Sequence, residues 1–467
     1  MRYALLMSLA LLIDFGSTFT KLLAVDLAAE EILAYAQSCT TVDTDIMVGL
    51  RRAQDLLPPH LKDAPYENRL ACSSAAGGLR MIAIGLIPEL SAEAARRAAL
   101  GAGAKVVKVY SFRLSTRELE ELEGLKPDIL LLAGGTDGGN REVILDNARI
   151  LARGRVRCPI LIAGNKAAAD EVHSLLSSAG KIPLLTENVM PEVNVLNVEP
   201  AREMIRRVFI ERIIEAKGLK RAEAFVEGIL MPTPTAVLRA AQLLCQGAGL
   251  EKGLGDLVVM DIGGATTDVH SIGAGDPVQA GVVRKGLPEP MAKRTVEGDL
   301  GLRYNASTIL KLCGEERILQ QASLIQKDLA PRLEKLSQCV EVLPQTVEDQ
   351  DLDFALAACA ARAAMERHAG LIEGLWGPQG QYFVQYGKDL TGVEHLIGTG
   401  GIFIHHPRSG DILGRTLFSP QEPFSLRPKN PALYTDARYC LYAVGLLADR
   451  YPESALRIAK KYLKKCN

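Results

Sequence analysis

One short pattern occurs twice in this chain and constrains its fold more than any other feature. An apolar strand runs into Asp14-Phe15-Gly16-Ser17-Thr18-Phe19-Thr20-Lys21, and a second runs into Asp261-Ile262-Gly263-Gly264-Ala265-Thr266-Thr267-Asp268. In both, an Asp ends the strand, Gly makes the turn and hydroxyl residues open the return, so each reads as a tight hairpin. Glycine lets backbone approach an anion, and successive N–H groups with nearby hydroxyls can surround phosphate oxygens. An Asp at a strand end can share a hydrated Mg²⁺, a cation that takes few carboxylates and keeps several waters. Either loop alone is only a turn. As a pair facing each other they would grip a phosphate chain from both sides, with Asp14 and Asp261 on the metal.

A third Gly-rich turn, Leu396-Ile397-Gly398-Thr399-Gly400-Gly401, follows another apolar strand, and its missing side chains leave room for an adenosine against backbone. In this order the three loops resemble the phosphate-1, phosphate-2 and adenosine motifs of the actin-like ATPase superfamily of actins, sugar kinases and heat-shock ATPases. Two helices fit the same pattern. Residues 232–244, opening Pro232-Thr233-Pro234-Thr235, look like the first connecting helix, and Tyr442 to Ala448, rich in small residues, like the second. The resemblance implies ATP and Mg²⁺ as ligands. Asp14 and Asp261 would organise the metal. Gly16, Ser17, Thr18, Gly263, Gly264, Ala265 and Thr266 would hold phosphates, with Lys21 neutralising charge. Gly398, Thr399, Gly400 and Gly401 would hold adenosine. That superfamily usually places a Gln or Glu at the first connecting helix to position the attacking water. Here the residue beside the proline is Thr233, a catalytic candidate with Asp14 and Asp261, and the nearest Gln is Gln242; either of the two or neither would stand near the γ-phosphate, so ATP binding is expected more firmly than fast turnover.

The organisation along the chain is that of an α/β protein. At 467 residues it is too long for one compact core. Strands at 9–15, 21–26 and 32–37 open an antiparallel meander, and strands at 257–262, 267–272 and 278–283 repeat it, a weak internal duplication. Between them, apolar runs at 106–110, 129–133, 160–163 and 182–185 alternate with helical stretches at 115–122, 141–151 and 167–179, a parallel βαβα unit. Further helices are expected at 45–57, 201–217, 304–339, 351–371 and 436–448, with a basic tail helix ending at Lys464-Lys465. The expected architecture is two actin-like (ribonuclease H-like) domains around a nucleotide cleft: residues 1–250, with an inserted α/β subdomain at about 105–190, and residues 251–435. The helices of 436–467 would return toward the first domain.

A narrower resemblance spans essentially the whole length. "CSSAAGGLRM" from Cys72, "LLLAGGTDGGN" from Leu130, "TENVMPEVNVLNVEPAR" from Thr186, "RTVEGDLGLR" from Arg294 and "GKDLTGVEHLIGTGG" from Gly387 look like the glutamate mutase accessory protein family, often labelled MutL. The mismatch-repair protein of that name is a different protein whose motifs are absent here. The resemblance implies a weak ATPase acting as a reactivating chaperone. Its partner would be an adenosylcobalamin-dependent mutase such as glutamate (methylaspartate) mutase or a related aminomutase, whose damaged cobalamin it helps to exchange. Two other readings stay open on the residues alone: a small-molecule kinase of the same fold, for which no acidic general base stands out, and a nucleotide-dependent filament or scaffold protein.

The remaining features exclude or distract. A net charge of −1 argues against a broad nucleic-acid footprint. Nine scattered cysteines without C-x-x-C or zinc spacing read as reduced thiols of a cytoplasmic protein. The apolar run 4–13 is too short to span a bilayer and leads straight into Asp14, so it reads as a buried first strand and not a membrane anchor. Asp268-Val269-His270-Ser271-Ile272-Gly273 spells the D-x-H-x-x-G of cobalamin-binding domains. It lies on the return strand of the second hairpin, where a satisfied strand histidine is expected. Gly134 to Asn140 reads as a strand-to-helix crossover, lacking the Lys-Ser/Thr of a P-loop. Asn165 belongs to a second crossover. His405-His406 has no acidic or Cys companion, and Lys460, Lys461, Lys464 and Lys465 read as a solvated helix face.

Overall fold

The structure, a computed structural model, describes residues 8–41, 45–74, 79–216, 225–226, 229–278, 281–322, 329–377 and 380–466. It divides into two compact units, one of Met1–Gly77, Ile214–Lys285 and Glu289–Asn467, the other of Gly78–Ile213 with Gly286–Pro288.

The larger unit holds two main sheets. In the first, Leu9–Phe15 pairs antiparallel with Phe19–Asp26, which pairs antiparallel with Glu31–Cys39. On its other side Leu9–Phe15 runs parallel to Asn68–Ser73, and that strand runs parallel to Ile229–Pro232. In the second, Leu257–Ile262 pairs antiparallel with Thr267–Ile272, and that strand pairs antiparallel with Ala292–Glu297. Leu257–Ile262 also runs parallel to His395–Thr399, which runs parallel to Ala432–Asp436. Counted along each half, the five strands named for each sheet have the order 3-2-1-4-5, and the second sheet adds a sixth, Leu463–Lys465, at its edge. The repeated hairpin pattern is thus the visible part of a duplicated ribonuclease H-like sheet.

The third strand of the second meander differs from expectation. Residues 279–280 of the expected run lie outside the described residues. Val282–Lys285 joins a small separate sheet with Gly380–Tyr386 and Leu371–Gly377, and Ala292–Glu297 takes the meander position. The intervening chain explains this: Gly273, Gly275, Gly281 and Gly286 all have positive φ, which breaks an extended run.

Two helices bridge the halves of this unit. Thr233–Gln246 and Leu441–Leu447 cross so closely that a Cβ on Gly445 would overlap the Ala236 carbonyl. Both pack into one core with Leu12, Leu23, Val259 and Ile397 from the two sheets. The second core surrounds Val347–His368, a helix buried on most sides, as its run of small residues allows. It starts earlier than expected because Thr346 and Asp349 form a capping box. The expected helix 304–339 is three shorter ones, Ala306–Cys313, Glu315–Ala322 and Ala330–Gln338, the first break falling at Gly314 with φ +81. Residues 323–328 lie outside the described residues. The tail also differs. Helix Pro452–Tyr462 ends before Lys464 and Lys465, which stand exposed on an edge strand, Leu463–Lys465, against Ala432–Asp436. Lysines there discourage further strand pairing.

The smaller unit is a five-stranded parallel sheet ordered Lys105–Ser111, Arg80–Gly85, Ile129–Leu132, Pro159–Ile162, Ile182–Leu185. Taken in chain order this is 2-1-3-4-5, a doubly wound arrangement. Met81, Ala83, Ile129 and Leu131 face one core, and Ile82, Ile84, Leu130 and Leu132 the other, as two-sided burial of parallel strands requires. The strand Arg80–Gly85 and the helix Glu93–Gly101 were not marked by the apolar pattern.

Candidate functional site

The two Asp-bearing hairpins meet. Gly16 N–H donates to the Phe19 carbonyl at 3.2 Å, and Gly263 N–H donates to that of Thr266 at 2.9 Å, closing both turns. A Cβ on Gly264 would come within 3.0 Å of Thr18 Oγ1, so the tips of the loops are in contact range. The second hairpin is braced from outside: Leu302, Arg303 and Tyr304 donate backbone N–H groups to the Gly263 and Gly264 carbonyls at 2.9–3.1 Å, and Asn305 Nδ2 donates to the Ala265 carbonyl at 2.9 Å. The "GDLGLR" part of the family-like motif at 298–303 has this structural task. Arg303 is itself fixed by a buried two-point pair with Asp353.

Asp14 is fully buried, at the end of its strand. Lys21, directly across the hairpin, donates to Asp14 Oδ2 at 3.1 Å. The Thr233 hydroxyl donates to Asp14 Oδ1 at 2.6 Å. Thr233 therefore stands at the carboxylate. Gln242, nine residues along the same helix, is about 13 Å further up its axis at 1.5 Å per residue. Asp261 is only partly buried. Burial, then the charges of Asp268, Asp14 and Asp436, push its carboxyl up to about 7, and Lys21 only partly opposes this. Asp268 is paired with Arg294 at 2.6 Å and accepts the Thr266 hydroxyl at 2.9 Å.

The Gly398–Gly401 turn lies beside the second hairpin, Met260 and Asp261 pairing with Gly398 and Thr399. Its glycines serve different ends. The space beyond Gly398 is filled by the Phe403 ring, and that beyond Gly400, whose φ is +106, by the Ile262 carbonyl and Asp261 Oδ1. Gly401 faces open space. Thr399 Oγ1 donates to Asp436 Oδ2 at 3.0 Å, and the same buried carboxylate receives the Cys440 and Leu441 N–H groups at 2.9 and 3.0 Å. Ser17 Oγ donates to the Ser74 carbonyl at 2.8 Å.

The sequence reading gave no site role to Cys72, Asp436 or Tyr439. Cys72 lies beside Asp14 with its thiol pushed far up by burial and by that carboxylate, so it is an inert neighbour. Tyr439 sits in a left-handed backbone conformation, φ +50, with its ring 3.9 Å from Lys21 Nζ and its hydroxyl 3.5 Å from Asp14 Oδ2. Asp436 was findable, since Tyr434-Thr435-Asp436 again ends an apolar strand on Asp. Nothing in the local sequence marks Tyr439.

The distracting motifs resolve structurally. His270 is on the expected strand, but both ring nitrogens lack hydrogen-bond partners among the described residues, and burial holds it neutral, its pKa well below the usual value. It is a buried strand histidine, not a satisfied one. His406 is engaged by the Gln350 carbonyl and Arg408 N–H. The loop after Leu132 is a crossover locked by Asn165 and Asn188. None of the nine cysteines is in a disulfide. Among the described residues no helix is long and apolar enough to cross a membrane.

Two duplicated ribonuclease H-like sheets, facing Asp hairpins, a Gly turn and two crossing helices define the actin-like ATPase architecture. The sequence profile of the MutL protein family matches residues 10–463. Protein MutL of Clostridium tetanomorphum is 50% identical over 457 residues, covering 97% of this chain and 99% of that one. The chain belongs to this MutL family, that of glutamate mutase and not of mismatch repair. Solved structures align over most of the chain at low scores. They include nucleotide-free acetone carboxylase (14% identity, TM-score 0.41, 95% of this chain and 70% of that one) and the activator of 2-hydroxyisocaproyl-CoA dehydratase from Clostridium difficile with bound ADPNP (10%, 0.30, 98% and 99%). Gluconate kinase from Lactobacillus acidophilus aligns with 10% identity and TM-score 0.35 over 98% of this chain and 93% of that one. At these scores the architecture rests on the strand order itself.

Proposed function

We propose that this protein binds Mg-ATP between its two hairpins and uses it to reactivate an adenosylcobalamin-dependent mutase, glutamate mutase or a related aminomutase. The observation that carries the reading is full-length membership of the MutL family combined with a complete pair of facing Asp hairpins. The donor set fits a hydrated divalent cation. The charges of Asp268, Asp14 and Asp436 all act against the ionised form of Asp261 and Lys21 only partly opposes them, a penalty that Mg²⁺ would relieve, while Asp268 is itself paired with Arg294. Among the described residues no group of three His, Cys, Asp or Glu is arranged to hold a metal.

In this reading Asp14 and Asp261 hold Mg²⁺ through oxygens. The backbone of Gly16, Ser17, Thr18, Gly263, Gly264, Ala265 and Thr266 surrounds the phosphates, Lys21 neutralises them, and the 398–401 turn seats the adenosine. Ser17 exchanges its bond to the Ser74 carbonyl for phosphate, and Thr233 holds the Asp14 carboxylate. Closure of the two halves on the γ-phosphate would separate the mutase's cobalamin-binding and catalytic parts. ATP and ADP forms must then bind the mutase unequally. A tenfold difference corresponds to about 1.4 kcal/mol. The test is to inactivate a mutase by turnover and add this protein, fresh adenosylcobalamin and ATP. Recovery that disappears with Gly263→Asp supports the reading. Equal recovery without nucleotide, or ATP turnover stimulated by a metabolite and by no mutase, defeats it.

A further inference from the structure

Tyr439 is hard to explain as packing alone. A bulky residue in the left-handed region is strained and persists only where its surroundings enforce it. Here the enforcing group is Asp436. Its carboxylate collects the N–H groups of Arg438, Cys440 and Leu441, which winds residues 436–441 into a tight turn at the head of Leu441–Leu447. The turn carries the Tyr439 ring under the Lys21 ammonium, 3.9 Å from centroid to Nζ, with Tyr442 against it at 5.4 Å between centroids. Lys21 is mostly buried and Tyr439 almost wholly so, and a cation over an aromatic face is attracted more strongly when both are out of water. The other groups facing Lys21 are Asp14 and, by charge, Asp261.

Resting on the reading of the two hairpins as a Mg-ATP site, we infer that Tyr439 is a positioning residue for Lys21, its ring face fixing where the ammonium stands when Asp14 turns to the metal. An ammonium held only by Asp14 would lose its anchor once that carboxylate bound Mg²⁺. The ring keeps it at the mouth of the first hairpin, beside the phosphates. Because Asp436 also receives the Thr399 hydroxyl, the same turn ties the adenosine-side loop to the position of that charge.

The test is a calorimetric series on the full chain with Mg-ATP. Tyr439→Phe keeps the ring and loses only a 3.5 Å hydroxyl contact, so affinity stays within about twofold. Tyr439→Leu weakens Mg-ATP by roughly three- to thirtyfold. Combined with Lys21→Ala it adds nothing beyond Lys21→Ala alone, since the ring acts through that ammonium. Progressively fluorinated phenylalanines at position 439 keep the shape and strip the ring's negative face, so affinity falls stepwise with fluorine number whether or not the Leu variant folds. A flat fluorine series, or additive losses in the double variant, overturns the inference while leaving the site intact. Wild-type protein that fails to bind Mg-ATP overturns the underlying reading instead.

Discussion

Asp261 offers a direct test of the electrostatics, because its carboxyl lies near 7 and not near its usual 3.8. Burial beside Asp268, Asp14 and Asp436 penalises its ionised form, and a divalent cation on the same oxygens would reverse that penalty. Mg-nucleotide binding should therefore expel a proton from Asp261 whenever it starts protonated. With a value of about 7, roughly 0.9 proton is released at pH 6, about 0.5 at pH 7 and about 0.1 at pH 8. An unperturbed carboxyl would release about 0.01 at pH 6. The assay is calorimetry in paired buffers of different ionisation enthalpy, using nucleotide already saturated with Mg²⁺. The sign for the unliganded protein follows too. The folded pKa is raised, so the native state binds the extra proton and stability falls as pH rises from about 4 to about 7. Asp261→Asn should flatten that slope and lose the advantage of Mg-ATP over metal-free nucleotide. Release below about 0.2 proton at pH 6 would refute the idea that Asp261 is a strained ligand waiting for a metal.

Two further outcomes follow from packing. Gly445→Val should destabilise the larger unit by about 1–3 kcal/mol, read as a lower urea midpoint, because any Cβ there enters the Ala236 carbonyl. Arg294→Met strands the buried Asp268 and should cost about 3–5 kcal/mol in the same denaturation measurement, with Asp268→Asn/Arg294→Met recovering much of it.

The sequence showed the architecture wherever the fold itself depends on a distinctive local string. The hairpins at Asp14 and Asp261 had to combine an apolar strand, a carboxylate and glycines, so their pattern survives as a string, and the same holds for Gly398–Gly401. It failed where structure depended on distant partners. Val282–Lys285 has strand composition, yet four positive-φ glycines decide which sheet it enters. Arg80–Gly85 sits at the centre of a parallel sheet, but its run is short and preceded by Gly77-Gly78, so it reads as a loop exit. His270 has the alternation of a satisfied strand residue, and only the packed structure shows that, among the described residues, no acceptor or donor reaches its ring. Tyr439 was invisible because its meaning lies in a lysine more than four hundred positions away.

That separation has a consequence in time. Asp14 and Tyr439 stand 425 positions apart, and Thr233 and Asp14 stand 219 apart. At about 5–20 residues per second, the ribosome takes roughly 20–85 s to travel from the first hairpin to the turn that finishes its environment. For the first half of that interval the buried carboxylate of Asp14 has neither its threonine nor its aromatic neighbour, and for the second half it still lacks the aromatic one, whereas Gly78–Ile213 is nearly continuous and can collapse on its own strands. If the two hairpins bind nucleotide as proposed, a nascent chain should stay silent toward it until Leu441–Leu447 emerges and seats across Thr233–Gln246.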